Sequence, residues 1–319
     1  MKTIKIKLCD WHDNYVFDEI FFIKALRKHY NIELSDDPDY VFYSVWGTEH
    51  LDYDCVKIYY TAEDISPDFN LCDYAIGFDD LSFGDRYIRF SLFPSVDCFP
   101  DAARKHIFTE EELKRKTKFC NYIVSNGNCD PIRTEVFNRL SDYKKVDSGG
   151  RYMNNIGCPV KSKLDFQKDY KFSIAFENGA MKGYTTEKII DAFASKTIPI
   201  YWGNPDIAKD FNPKSFVNYW DYGNLDDMIK RVIEIDQNDD LYREILSEPI
   251  FENGEIPERF RYETIEKFLL NIFEQPYEKA FRRSFHTWRR VYIDDMKYNR
   301  SLVQKSKKFT YRVCDKLFF

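Results

Sequence analysis

Residues 171–205 constrain the fold of this chain more than any other segment of its sequence. The segment contains two short apolar runs separated by a glycine-containing loop and a threonine pair. Apolar runs of this length predict buried parallel strands, and threonine is a good N-cap for a helix. The pattern therefore predicts one strand–loop–helix–strand unit of an α/β protein. Its predicted parts are a strand at 172–176, a loop at 179–183, a helix capped by Thr185 or Thr186, and a strand at 198–201.

Polar residues are concentrated where the loop of this unit meets its helix. Glu187 and Lys188 lie in the first predicted helical turn, and Tyr184 comes shortly before it. A helix N-terminus presents free N–H groups and a positive dipole end, which suits a phosphate. The arrangement is also compatible with an ordinary βαβ unit in which Glu187 and Lys188 form a solvated pair. On spacing alone both interpretations stay open.

Strand and helix signals alternate along the rest of the chain, which favours two doubly wound, mostly parallel sheets. Thr109 and Glu112 form a capping box that begins a charged helix at 110–118, predicted as the crossing between lobes. The predicted domains are 1–115, 116–275 and a tail at 276–319. The predicted strands are 4–8, 40–45, 56–61, 74–78 and 122–125, and the predicted helices are 17–29, one after Pro131, 226–235 and 262–273.

Composition excludes several classes of protein. The 319 residues are 44% hydrophobic, yet no run approaches the ~20 consecutive apolar residues of a membrane span. Residues 1–8 alternate apolar residues with lysine and lack the apolar centre of a signal peptide. The eight cysteines include no C-x-x-C pair, which disfavours a zinc site and is typical of reduced thiols in the cytoplasm. We therefore expect a cytoplasmic protein without a metal site.

Charge is unevenly distributed between the body and the end of the chain. Residues 276–319 contain twelve Lys and Arg against four Asp and Glu, so residues 1–275 carry a net charge of −14. An acidic body argues against nucleic-acid binding. The basic tail interleaves aromatic residues with arginine, which suits either an anionic membrane surface or packing against the acidic body. Both alternatives stay open for residues 281–319.

Several motifs resemble those of the α-1,3-fucosyltransferases of glycosyltransferase family 10, the bacterial members above all. The resemblance covers residues 57–222 well and extends more loosely to about 275. The motifs are Phe-Glu-Asn at 176–178, Gly-Tyr-Thr-Thr-Glu-Lys at 183–188, Ile-Pro-Ile-Tyr-Trp-Gly at 198–203, Ala-Lys-Asp-Phe-Asn-Pro-Lys-Ser-Phe-Val-Asn at 208–218, and Asp-Phe-Asn-Leu-Cys-Asp-Tyr-Ala-Ile-Gly-Phe-Asp at 68–79.

The resemblance implies a GT-B fold, with two Rossmann-like lobes facing a central cleft and a basic helical tail. It implies inverting transfer of L-fucose from GDP-β-L-fucose to a glycan hydroxyl, with O3 of N-acetylglucosamine as the expected acceptor atom. Bacterial relatives often end in a basic aromatic segment that associates with the inner face of the membrane. We therefore expect a cytoplasmic enzyme, and the resemblance makes contact of residues 281–319 with anionic lipid one of the two alternatives open for the tail.

The resemblance also assigns a general base. Glu63 matches the catalytic carboxylate of the family, which takes the proton of the attacking acceptor hydroxyl. Many relatives carry Gly-Glu-Asn where this chain has Ala62-Glu63-Asp64. The second carboxylate leaves open which of the two acids is the base.

The donor residues are assigned in the same way. Arg133 and Lys188 match the residues that bind the diphosphate, and two cations with a helix N-terminus neutralise a diphosphate without a metal. We therefore expect no required cofactor, while stimulation by a divalent cation stays open. Tyr184, Glu187 and Asn178 match the residues that hold the nucleoside.

Two other functions are compatible with the sequence. One keeps the fold and the chemistry but uses a different nucleotide-sugar donor. The other is a non-catalytic, membrane-associated protein that binds glycans. The matches to both a general base and two cations for the leaving diphosphate argue against the glycan-binding protein, because binding alone requires neither.

Overall fold

The computed structural model describes residues 1–12, 15–284, 286 and 288–318, without the side chains of 304, 305 and 307–318. The chain forms two units. The first comprises Met1–Gly77, Leu81–Ile88 and Glu263–Phe319, and the second comprises Phe78–Asp80 and Arg89–Tyr262. The first unit thus takes residues from both ends of the sequence.

A six-stranded sheet forms the centre of the first unit, in the order β2-β1-β3-β4-β5-β6. Strands β1 to β5 are parallel to their neighbours. Strands β3, β4 and β5 are buried along their whole length, as expected for a parallel sheet that is covered on both faces. The strands are β1 (Lys2–Cys9), β2 (Tyr30–Leu34), β3 (Tyr40–Tyr43), β4 (Val56–Tyr60), β5 (Tyr74–Gly77) and β6 (Tyr87–Arg89).

Aromatic side chains attach the helices of the first unit to this sheet. The ring of Phe22 stacks on that of Phe42 with centroids 4.5 Å apart, and the ring of Phe273 lies 4.4 Å from that of Tyr40. The predicted helix at 17–29 divides at Ile20, whose backbone is extended, into a 3₁₀ turn and a shorter α-helix. The helices are α1 (Phe21–Arg27), α9 (Tyr262–Glu274), α10 (Tyr277–Ala280) and α11 (Trp288–Phe318).

The second unit contains a five-stranded parallel sheet in the order β11-β10-β9-β7-β8. Its strands are β7 (Lys118–Tyr122), β8 (Val146–Ser148), β9 (Tyr170–Phe176), β10 (Ile198–Trp202) and β11 (Val217–Asn218). Its helices are α2 (Phe99–Ala103), α3 (Glu110–Arg115), α4 (Ile132–Tyr143), α5 (Lys163–Gln167), α6 (Glu187–Ala194), α7 (Leu225–Gln237) and α8 (Asp239–Ser247).

Two predicted boundaries between α3 and β7 are wrong. The strand predicted at 122–125 occupies Lys118–Tyr122 instead, because Lys118 pairs with Tyr170 and Tyr122 with Ile174 of β9. The helix predicted at 110–118 accordingly ends at Arg115. The capping box that begins this helix is confirmed, since Thr109 and Glu112 exchange hydrogen bonds of 3.2 and 2.8 Å.

Both sheets share one doubly wound strand order. When the strands of each sheet are numbered separately from 1 in chain order, the parallel strands lie side by side in the order 2-1-3-4-5. The order therefore reverses between β1 and β3 in the first sheet, and between β7 and β9 in the second. Ligands of such sheets bind beyond the carboxyl ends of the strands, at the point of reversal. The prediction of two doubly wound lobes is confirmed.

The beginning of the tail is anchored in the first unit by a buried ion pair. Asp73 is fully buried, and its carboxylate accepts hydrogen bonds from the Nε of Arg283 at 2.9 Å and from the backbone N–H groups of Arg282 and Arg283. A further backbone bond comes from Lys57 at 2.7 Å. Of the two alternatives for the tail, packing against the body applies to residues 282 and 283 and to one side of α11, where Ile293 is buried and Tyr292 and Arg300 bond Asp68 and Asp52.

Helix α11 differs from this anchor because it carries exposed apolar and aromatic groups. Trp288 is 83% exposed and Tyr298 is 63% exposed, with Val291 and Leu302 also exposed. Within the described part of the chain, no helix combines the length and the apolar character needed to cross a membrane.

Candidate active site

The candidate site lies at the point where the strand order of the second sheet reverses. The chain leaves β9 at Phe176 and continues directly into Glu177 and Asn178. The loop that follows β7 reaches the same place, because the N–H of Asp130 donates to the carbonyl of Asn178 at 3.1 Å. The carboxyl ends of the two central strands thus bring this loop and residues 177–178 together.

Arg133 enters the site from the first turn of α4. Its guanidinium Nη1 donates to Oδ1 of Asn178 at 2.7 Å. Only 2% of the residue is exposed, and its Nε is buried without a hydrogen-bond partner in the described ranges of the chain. A buried cation with an unused N–H is costly unless an acceptor joins it. The site therefore favours binding of an anion.

Glu177 organises the opposite side of the site from a fully buried position. Its Oε1 accepts the backbone N–H of Thr186 at 2.7 Å, and its Oε2 accepts the hydroxyl of Thr186 at 2.6 Å. Thr186 is the N-cap residue of α6, as predicted, but its own hydroxyl makes no capping bond. The carboxylate of Glu177 instead binds the N–H and the hydroxyl of Thr186 itself, a contact that sequence reasoning did not assign to it.

Lys188 completes this cluster from the first turn of α6. Its Nζ donates to Oε2 of Glu177 at 3.0 Å and to the hydroxyl of Thr186 at 2.9 Å. Burial disfavours the charged ammonium, but the carboxylates of Glu177 and Glu187 outweigh burial and raise the pKa of Lys188. The nearby charge of Arg133 acts in the opposite direction. The two predicted phosphate ligands are therefore electrostatic neighbours.

Gly203 provides the space that Glu177 occupies. A Cβ atom at this position would lie 2.4 Å from Cγ of Glu177. The backbone of Gly203 has a φ of 152°, which residues other than glycine rarely adopt. Any side chain here would displace the carboxylate. Glycine is thus required at position 203, because the side chain of Glu177 lies directly against its backbone.

Glu187 is partly exposed at the N-terminus of α6, with 34% of its side chain accessible. Its Oε1 lies 3.8 Å from Nζ of Lys188 and 3.9 Å from Nζ of Lys163. Burial disfavours its charged form, but these two ammonium groups outweigh it and lower the pKa of Glu187. The carboxylate is therefore ionised at neutral pH and available to a hydroxyl donor.

Tyr184 lies in the loop that precedes α6 and is buried, with its ring edge-on to Phe78 at 5.4 Å. The loop is held at Gly183, whose N–H donates to Oδ1 of Asn204 at 2.7 Å. Gly183 has a φ of 82°, and a Cβ there would lie 2.2 Å from the carbonyl oxygen of Phe78. The backbone beside Tyr184 is therefore fixed.

A partly buried ion pair supports the same loop. The guanidinium of Arg89 binds both carboxylate oxygens of Asp210, at 2.8 and 2.6 Å, and also donates to the carbonyl of Gly183 at 3.4 Å. Sequence reasoning missed Arg89, Asn204 and Asp210 as supporting residues. Asn204 belongs to the Trp-Gly-Asn-Pro sequence that ends β10, so its place after a buried strand was the available signal.

Glu63 belongs to the first unit, three residues beyond the end of β4. It is partly buried, and its backbone N–H donates to the hydroxyl of Thr61 at 3.1 Å. Asp64 is also partly buried. The position of Glu63 just past a strand end is as expected, and its catalytic role stays a prediction.

The second unit brings together four of the six predicted site residues through direct contacts or neighbouring charges: Arg133, Asn178, Glu187 and Lys188. Tyr184 lies in the adjoining loop. No group of three or more His, Cys, Asp or Glu arranged to hold a metal ion is present among the residues that the structure describes.

Two family models match the chain. The model of the alpha-(1,3)-fucosyltransferase FucT N-terminal domain matches residues 6–95, and the model of the C-terminal part of glycosyltransferase family 10 (fucosyltransferase) matches residues 113–247. The alpha-(1,3)-fucosyltransferase FucT of Helicobacter pylori is 37% identical over a match that covers 77% of this chain. That match spans 60% of the length of the Helicobacter protein.

Solved structures of alpha1,3-fucosyltransferases also match this chain. A crystal structure of an alpha1,3-fucosyltransferase superposes with a TM-score of 0.76 at 32% identity, covering 86% of this chain and 91% of that one. A crystal structure of an alpha1,3-fucosyltransferase with GDP-fucose superposes with a TM-score of 0.75 at 30% identity, covering 89% and 94%.

Proposed function

Because the chain belongs to glycosyltransferase family 10, we propose that it transfers L-fucose from GDP-β-L-fucose to a hydroxyl of a glycan, with inversion at the anomeric carbon. The observation that carries this proposal is a pair of cations at the end of the second sheet, of which Arg133 is buried and Lys188 partly buried. Arg133 is held by Asn178 and Lys188 by Glu177, at 2.7 and 3.0 Å.

Two fixed cations suit the departure of GDP. The diphosphate gains negative charge as the bond to the anomeric carbon breaks, and donors placed in advance stabilise that charge. Arg133 offers an unused buried Nε–H, and Lys188 offers an ammonium at the N-terminus of α6. Together with the helix dipole they supply the positive charge that a diphosphate requires. The clamp therefore needs no metal ion.

The nucleoside is assigned to the residues around this clamp. Glu187 presents an ionised, partly exposed carboxylate that accepts hydrogen bonds from ribose hydroxyls. Asn178 lies between the clamp and the loop after β7, and Tyr184 lies in a loop whose backbone is fixed at Gly183. These positions support a nucleoside site beside the diphosphate.

The acceptor and the base are assigned to the first unit. Glu63 follows a carboxyl strand end, the position where doubly wound sheets bind ligands. Its carboxylate takes the proton from the attacking hydroxyl, which we propose to be O3 of N-acetylglucosamine in a glycan. The fucosyl group then passes to that oxygen while GDP leaves with its charge held by the clamp.

We expect GDP to bind in the presence of EDTA with a micromolar dissociation constant. Arg133→Ala and Lys188→Ala should each weaken binding roughly 10- to 150-fold, equal to about 1.5–3 kcal/mol for a hydrogen bond to a charged group. Isothermal titration calorimetry measures both effects. Lys230→Ala is a matched control, because Lys230 pairs with Asp227 on the exposed face of α7. Unchanged affinity in both site variants would contradict the clamp.

A thermal-shift comparison distinguishes the donor from other nucleotide-sugars. A ligand at 100 times its dissociation constant stabilises the folded state by about 2.7 kcal/mol. GDP should therefore raise the unfolding temperature, whereas UDP at the same concentration should not. Stabilisation by UDP alone would favour the alternative donor.

We also propose that α11 binds the inner face of an anionic membrane. The support is the exposed aromatic and apolar groups of α11, Trp288 and Tyr298 above all, beside arginine and lysine. Such a helix lies in the membrane interface with its aromatic groups inserted and its basic groups on the lipid headgroups. The chain would then act at the membrane from the cytoplasm.

Two truncations separate this role from the anchor at Asp73. Deleting 288–319 should abolish flotation with anionic vesicles and leave GDP binding intact. Deleting 281–319 should lower the unfolding temperature further than the shorter deletion does, because it also removes the buried ion pair between Arg283 and Asp73. Vesicle binding should weaken at high salt. Flotation that survives the shorter deletion would contradict the membrane role of α11.

A further inference from the structure

We propose that Glu177 is a positioning residue of the donor site, which fixes the Lys188 ammonium and the first turn of α6 where the diphosphate is bound. This role rests on the proposed function. Glu177 is fully buried and its carboxylate accepts hydrogen bonds from Thr186 and Lys188, so it acts on the donor through these two residues.

The contacts of the carboxylate carry the inference. It receives three hydrogen bonds, and all three come from residues 186–188, at 2.6, 2.7 and 3.0 Å. The hydroxyl of Thr186 donates to Oε2 of Glu177 and accepts from Nζ of Lys188 at 2.9 Å. Carboxylate, hydroxyl and ammonium thus form a closed triangle at the helix N-terminus.

The triangle leaves Lys188 one proton for a ligand. An ammonium has three donors, of which Glu177 and Thr186 take two. The next carboxylate oxygen, Oε1 of Glu187, lies 3.8 Å away, beyond hydrogen-bond distance. The third N–H of Lys188 therefore has no acceptor within the described residues and is available to a phosphate oxygen.

Charge gives Glu177 a second effect on the same group. Lys188 and Arg133 are both positive and lie close enough to disfavour each other. The carboxylate of Glu177 offsets this repulsion and the burial of Lys188, so the ammonium persists into the alkaline range. In Glu177→Gln, the negative charge is lost and one of the two oxygens becomes an NH2 group, which accepts neither the N–H of Thr186 nor the ammonium of Lys188. The variant therefore both displaces the ammonium and favours its deprotonation.

The test is the pH profile of fucosyl transfer by Glu177→Gln. At neutral pH we expect a loss of about 10²-fold, the scale of an approximately 1 Å misplacement. The alkaline limb of kcat/KM should move to lower pH, because Lys188 loses its proton earlier. Asp236→Asn is a matched control, since Asp236 is a buried carboxylate paired with Lys144 and Lys171. Asp236→Asn should lower the stability of the fold without moving the alkaline limb of kcat/KM.

A double substitution tests whether Glu177 acts through Lys188. In the Lys188→Ala background, Glu177→Gln should cost much less transfer than it costs in the native chain, because only the Thr186 contacts are left for Glu177 to position. If Glu177→Gln does not fold, Thr186→Val removes the hydroxyl of the triangle and should move the alkaline limb in the same direction. Thr186→Ser keeps the hydroxyl and should leave the alkaline limb at its native position.

Two results would overturn the role of Glu177 alone. One is a uniform loss of activity with the alkaline limb unmoved, and the other is an equal further loss when Glu177→Gln is added to Lys188→Ala. A native chain that binds no GDP would overturn the proposed function, and this role with it. The two failures are therefore distinguishable.

Discussion

Replacing Glu63 with Gln is expected to lower fucosyl transfer by about 10²- to 10⁴-fold, the usual contribution of a general base. Gln retains the shape of the side chain and most of its hydrogen bonding but does not take a proton. The donor clamp lies in the second unit, so GDP-fucose affinity should stay close to that of the native chain. Steady-state transfer and calorimetric titration of the donor measure the two quantities separately.

Asp64→Asn is the matched control for this variant. Asp64 is adjacent in sequence and also partly buried, and it should retain transfer within about tenfold if Glu63 alone takes the proton. Collapse of transfer in Asp64→Asn with near-normal turnover in Glu63→Gln would reverse the two roles. Loss of donor binding in both variants would assign the segment a structural role.

Replacing Arg283 with Ala is expected to lower the free energy of unfolding by about 3–5 kcal/mol, the cost of removing one partner from a buried ion pair. The side chains of Arg283 and Asp73 are 1% and 0% exposed. The substitution leaves the Asp73 carboxylate buried without its guanidinium, and the carbonyl of Cys55 also loses a donor. Few single substitutions in this chain should cost as much.

Denaturant unfolding measures this loss. Arg290→Ala is the control, because Arg290 forms an exposed pair with Asp294 four residues away on α11. Exposed pairs contribute little, so the control should change stability by about 0.5 kcal/mol or less. An unchanged midpoint for Arg283→Ala would contradict the anchoring role of residues 282 and 283.

The local structure of the second sheet could largely be predicted from the sequence. The strand that ends at Phe176, the helix that begins after Thr186 and the strand that begins at Ile198 all occur where the pattern indicates. These elements have buried apolar runs and clear end signals, so local physics determines them. The strand beginning at Lys118 was misplaced because its position depends on pairing with β9, about 50 residues later.

The supporting contacts of the site could not be predicted in this way. The sequence indicates that Thr185 or Thr186 begins α6, and Thr186 does so, but which group bonds its N–H depends on how β9 and α6 approach each other. Glu177 reaches that N–H because Gly203, on a third segment, has no side chain. The partnership of Asp73 with Arg283 joins positions 210 residues apart, for which the sequence carries no local signal.

That separation has a consequence for synthesis on the ribosome. The strands of the first sheet emerge early, but the arginines that pair with Asp73 are translated about 210 residues later. At roughly 5–20 residues per second, the delay is about 10–40 s. The whole second unit emerges during that interval and can fold first. The lobe that begins the chain is therefore the last to be completed, and the Asp73 carboxylate lacks its guanidinium partner until then.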